Sequence, residues 1–82
     1  MMKRQSFPIA NIYVPVKRRA ELNLKTVEAL AESILQLGQQ TPIMVRRDGE
    51  RFVLVEGLHR LEACKKLGET DIFCYLVDAR KH

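Results

Sequence analysis

The sequence predicts a small α+β domain in which two helices pack on a mixed or mostly antiparallel sheet. Three observations lead there. Two segments, 27–37 and 61–67, repeat apolar residues every three or four positions, the period of a helix with one buried face. Short runs rich in Val, Ile, Phe and Tyr flank them, at 7–12, 43–45, 52–55 and 71–77. An Asp48-Gly49 pair between the middle two runs marks a hairpin. The resulting order is strand, helix, strand, strand, helix, strand. Eighty-two residues with 46% hydrophobic content make one domain, 1–82, with its core at about 7–77.

Phe7, Ile9 and Ile12 form an apolar segment broken by Pro8, which reads as an edge strand or extended arm. Val14-Pro15-Val16 leads into the basic triplet Lys17-Arg18-Arg19, expected in a loop. Asn23 is the N-cap of the first main helix; Val27, Leu30, Ala31, Ile34 and Leu37 are its apolar stripe, and Gly38 follows as C-cap. Gln39-Gln40-Thr41-Pro42 is a linking loop. Ile43, Met44 and Val45 begin a strand, 46–50 is the hairpin turn, and Phe52 to Val55 return beside it. The second helix starts near Leu58 and runs to Leu67, with Gly68 at its end. A last strand covers 71–77, and the polar tail 78–82 is expected to fray.

Composition narrows the function classes. Fourteen basic against ten acidic residues give a net charge of +4, a balance that suits a polyanionic partner or a solvated basic surface. Cys64 and Cys74 form no Cys-x-x-Cys pair and no ligand cluster surrounds them, so reduced thiols are expected rather than zinc or a disulfide framework. No apolar run approaches a membrane span, and the protein is expected to be cytoplasmic, with no membrane partner.

The stretch Gly57-Leu58-His59-Arg60 carries the most chemistry. A strand that ends in Gly and turns at once into a helix leaves backbone N–H groups unpaired at the positive end of the helix dipole, a ready anion site. Arg60 lies four residues before Cys64 and seven before Leu67, so it leans toward the sheet and needs an anion. Two partners suit it equally: a carboxylate such as Glu21 or Glu56, or a phosphate held by the guanidinium fork. His59 is expected on the exposed side near Glu62 and Lys66, where it could donate to a phosphate oxygen.

Leu30-Ala31-Glu32-Ser33-Ile34, then Gly38 to Ile43, resembles the first box of the ParB N-terminal domain family. Val55-Glu56-Gly57-Leu58-His59-Arg60-Leu61-Glu62-Ala63 resembles its second, and sulfiredoxin is a more distant likeness. The resemblance runs from Ile9 to Val77 and implies the ParB/sulfiredoxin fold. It also implies that Gly57, Leu58, His59 and Arg60 contact the phosphates of a nucleoside triphosphate, CTP or ATP, with Mg²⁺ as a further candidate. Gln39, Thr41, Pro42 and Ile43 are implied near the base or sugar, in a loop that closes over the nucleotide, and Arg18 or Arg19 beside it. Leu58 departs from the pattern: partition proteins carry an acid there and sulfiredoxin its reactive cysteine, so sulfiredoxin-type reduction is not expected. Glu56 is the candidate to replace the lost acid in a weak NTPase.

The leading expectation is therefore a nucleotide-binding ParB-like module in DNA or plasmid maintenance or its regulation. One alternative is non-specific DNA binding, with or without nuclease activity, through Lys17, Arg18, Arg19, Arg46, Arg47, Lys65 and Lys66. With two Tyr and three Phe, most of them in core-like positions, a stacking platform for single strands is not expected. Another alternative is an interaction module, a homodimer or a partner-binding domain, whose nucleotide site has decayed.

Overall fold

Pro8 divides the N-terminal segment. The computed structural model describes residues 3–39 and 41–77, so the expectations for the 78–82 tail and for Gln40 lie outside the described residues. The single strand or arm expected at 7–12 is two strands, β1 (Arg4–Pro8) and β2 (Ile12–Tyr13), separated by a 3-10 turn (Ile9–Asn11). Pro8 has no N–H to extend the ladder, and Ile9 N–H turns instead to the Thr70 carbonyl at 2.9 Å.

Lys17, Arg18 and Arg19 lie in a short helix, α1 (Val16–Arg19), not in the expected loop. Pro15 opens it, its carbonyl accepting from Arg18 and Arg19 N–H at 3.0 and 3.3 Å, a position where its fixed φ suits a helix start. In α2 (Leu24–Leu37) the Asn23 cap is in place. The hairpin joins β3 (Ile43–Asp48) to β4 (Arg51–Glu56). Arg46 and Arg47, expected in the turn, are strand residues, because Asp48 pairs with Arg51 in register and through a 3.2 Å ion pair. The turn is thereby held to Gly49 and Glu50. Helix α3 (Leu58–Lys66) and β5 (Asp71–Leu76) complete the fold.

The sheet is mixed, with order β1-β5-β3-β4-β2. β1 pairs antiparallel with β5 and β3 with β4, whereas β3/β5 and β2/β4 are parallel. The first two strands thus close opposite edges. Helix α2 packs chiefly on α3, and Val27, Ala31, Ile34, Leu61 and Cys64 join Ile43, Val45, Leu54, Ile72 and Cys74 in one core. Both thiols are free and buried. Among the described residues no helix is long and apolar enough to cross a membrane.

Candidate functional site

Between the end of β4 and the start of α3 only Gly57 turns the chain, at φ 107 and ψ 32. A Cβ there would lie 2.5 Å from Ile43 Cγ2 and 2.8 Å from Ile43 Cβ. Glycine is required twice over, by the left-handed backbone and by the close approach of β3. That approach seats the α3 N-terminus against the sheet.

The two main helix starts are finished differently. At α2, Asn23 Oδ1 accepts from Lys25 N–H at 3.0 Å and Thr26 N–H at 3.2 Å. At α3 no side chain among the described residues caps the first turn, so the N–H groups of Leu58, His59 and Arg60 are available to a ligand. The two ends are tied together, because Asn23 N–H donates to His59 Nε2 at 3.0 Å. Accepting at Nε2 selects the neutral imidazole with its proton on Nδ1. His59 therefore does not face Glu62 and Lys66 as expected; it is half-buried against α2, and Glu62 pairs with Lys65 at 3.2 Å.

A cavity of about 340 Å³ opens at this junction, lined by Arg18, Glu21, Thr26, Glu56, His59 and Arg60 around Gly57 and Leu58. That volume is at the small end of ligand sites. Arg60 is half-buried here. Among the described residues the ion pairs are Arg18–Glu21, Arg51–Asp48 and Lys65–Glu62, and Arg60 is in none of them. The internal bridge open to Arg60 in the sequence is not made; Glu21 sits 3.8 Å from Arg18 instead. The Arg60 charge reaches Cys64, whose thiol is pushed up by burial and by Glu69 while Arg60 draws it down. Leu58 is 7% exposed and shared between cavity and core.

The other candidates separate. Arg18 lines the cavity, whereas Arg19 turns away, its Nε donating to the Val14 carbonyl at 3.1 Å. Gln39 is pinned to β5: its Oε1 accepts from Phe73 N–H at 3.2 Å and its Nε2 donates to the Asp71 carbonyl at 3.5 Å. Ile43 is 1% exposed beneath Gly57, Thr41 is exposed and Pro42 half-buried, and none of these lines the cavity. The basic residues considered for DNA are spread over several elements. Lys17 is on α1, Lys65 and Lys66 on α3, and Arg46 and Arg47 alternate to opposite faces of β3. Among the described residues no group of three or more His, Cys, Asp or Glu is placed to hold a metal. Thr26 went unnoticed in the sequence; its one signal is its place three residues after the Asn23 cap.

Residues 2–82 match the model of the ParB N-terminal domain. The chain belongs to that family. Over 64 residues it is 33% identical to a probable chromosome-partitioning protein ParB of Campylobacter jejuni, covering 78% of this chain and 23% of the relative. Over 63 residues it is 35% identical to a probable plasmid-partitioning protein ParB of Thermus thermophilus, covering 77% and 21%. It thus spans less than a quarter of the length of these ParB proteins. Sulfiredoxin from Arabidopsis thaliana has the same fold, with TM-score 0.84 and 31% identity over 94% of this chain and 86% of that one. So does the C-terminally truncated ParB from Caulobacter crescentus complexed with CTP-gamma-S, with TM-score 0.82 and 22% identity over 96% and 46%.

Proposed function

We propose that this chain binds a nucleoside triphosphate, CTP or ATP, with its phosphates on the first turn of α3, and that it serves DNA or plasmid maintenance or its regulation. One observation carries the reading: the α3 N-terminus is uncapped beside a half-buried Arg60 that has no ion-pair partner among the described residues. A partly buried, unpaired cation is costly, and a phosphate satisfies both the guanidinium fork and the open N–H groups. His59 Nδ1–H and Arg18 are the next donors at the cavity wall. The Caulobacter ParB solved with CTP-gamma-S supports the ligand class.

Glu21 and Glu56 on the same wall repel a bare triphosphate, so a magnesium complex suits the site better. Phosphate oxygens and water would supply most of the metal's ligands and Glu56 one carboxylate. Thr41 and Pro42 reach the base or sugar only if their loop closes over the site.

Calorimetric titration of the nucleotide-free protein with CTP and ATP, each with and without Mg²⁺, tests the proposal. Saturable binding that falls about tenfold or more in Arg60→Ala is expected, the loss of a hydrogen-bonded charged partner. No binding to either nucleotide, or undiminished affinity in the variant, refutes it.

A further inference from the structure

The helices cover one face of the sheet and leave the other bare. Ile72 and Cys74 of β5 and Ile43 and Val45 of β3 belong to the core, so alternation turns Phe73, Tyr75, Met44 and Arg46 to the opposite side. Arg4 lies opposite Tyr75 in register, its guanidinium 4.6 Å from the centre of the Phe73 ring. Tyr13, opposite Val53, is on the same side, with Arg51 at 4.3 Å from its ring. Every buried helical side chain among the described residues is in the core on the other face. The expectation that most of the aromatics are core-like is corrected here. Phe7 and Phe52 do stack inside at 4.1 Å, but Tyr13, Phe73 and Tyr75 remain partly exposed outside.

Arg4, Arg46 and Arg51 make this face basic, and its carboxylates lie at the margins. Asp48 is held by Arg51 at 3.2 Å and Asp71 starts β5. Residues two apart on a strand stand ~6.8 Å apart, twice the ~3.4 Å rise of stacked bases. That spacing fits bases splayed out one per ring. We propose that this face binds single-stranded nucleic acid, Phe73 and Tyr75 each stacking a base and Arg4 and Arg46 meeting the phosphates. A duplex hides its base faces from such rings, so the single strand is the form they fit. The surface is separate from the cavity at Gly57, and the proposal does not rest on nucleotide binding there.

Fluorescence anisotropy with a short labelled oligo-dT and a duplex of equal length, at low salt, tests it. The oligo-dT is expected to bind more tightly than the duplex. Phe73→Leu with Tyr75→Leu, which keeps apolar bulk, should weaken binding by about tenfold or more, and Arg60→Ala should leave it unchanged. Circular dichroism checks the fold of each variant, and Arg46→Gln, a surface change, should weaken binding severalfold if the double variant does not fold. No binding of oligo-dT, equal or tighter binding of duplex, or undiminished binding by the folded ring variant overturns the proposal. So does displacement of the labelled strand by polyglutamate as readily as by unlabelled oligo-dT, which would show an acid-binding face indifferent to bases.

Discussion

Gly57→Ala puts a methyl group where β3 already stands. The backbone at φ 107 is strained for any L-residue, at roughly 1–3 kcal/mol. The new Cβ would also sit 2.5 and 2.8 Å from side-chain atoms of Ile43, which is 1% exposed and has nowhere to move. Overpacking of that kind costs about 1–3 kcal/mol. Together they remove roughly 2–6 kcal/mol, against about 4–12 kcal/mol for a chain of this length. At about 4–8 °C per kcal/mol, the melting temperature should fall by about 8 °C or more. Gly68→Ala is the control, with φ 79 and nothing within 4 Å of the added Cβ. It pays the backbone strain alone, about 1–2 kcal/mol. Thermal and urea melts followed by circular dichroism compare the two. Equal losses would mean that Ile43 yields to the methyl group. A Gly57→Ala protein melting with the wild type would refute the account of the turn altogether.

Asn23→Ala removes the acceptor for Lys25 and Thr26 N–H and should cost about 1 kcal/mol; an unchanged urea midpoint would argue against the cap. Burial pushes the Cys74 thiol up to about 11 from 9.0. The unfolded chain therefore loses this proton first as pH rises, and stability is full below about pH 9 and declines through pH 11, by roughly 3 kcal/mol at most. Melts across that range should fall more steeply for the wild type than for Cys74→Ala, and parallel curves would remove Cys74 from the alkaline transition.

The sheet and the turn make different demands on the site. Phe73 N–H lies just beyond the end of β3, and Gln39 closes that gap in the ladder. A residue placed near the nucleotide by resemblance is thus extending the junction of two interior strands, β3 and β5. His59 shows the converse. It was singled out for its place at a helix start, and its strongest contact joins that start to the cap of another helix.

Local rules made much of the chain legible. Apolar periodicity located both main helices, Asn23 and Gly38 bounded α2, and Gly57 between an apolar run and a helical pattern marked the turn into α3. These follow from the sequence because their causes lie within a few residues of one another. The finer errors came where neighbours compete: the Asp48–Arg51 pair tightened the hairpin, and Pro15 drew the basic triplet into a helix. What only the tertiary structure decided is pairwise and distant: the edge positions of β1 and β2, the 36-residue reach from His59 to Asn23, and the lack of a carboxylate partner for Arg60 among the described residues. It also decided which rings the helices bury and which the bare face exposes. A periodic pattern says that a strand has two sides, but the packing of α2 and α3 determines which side is sheltered from water.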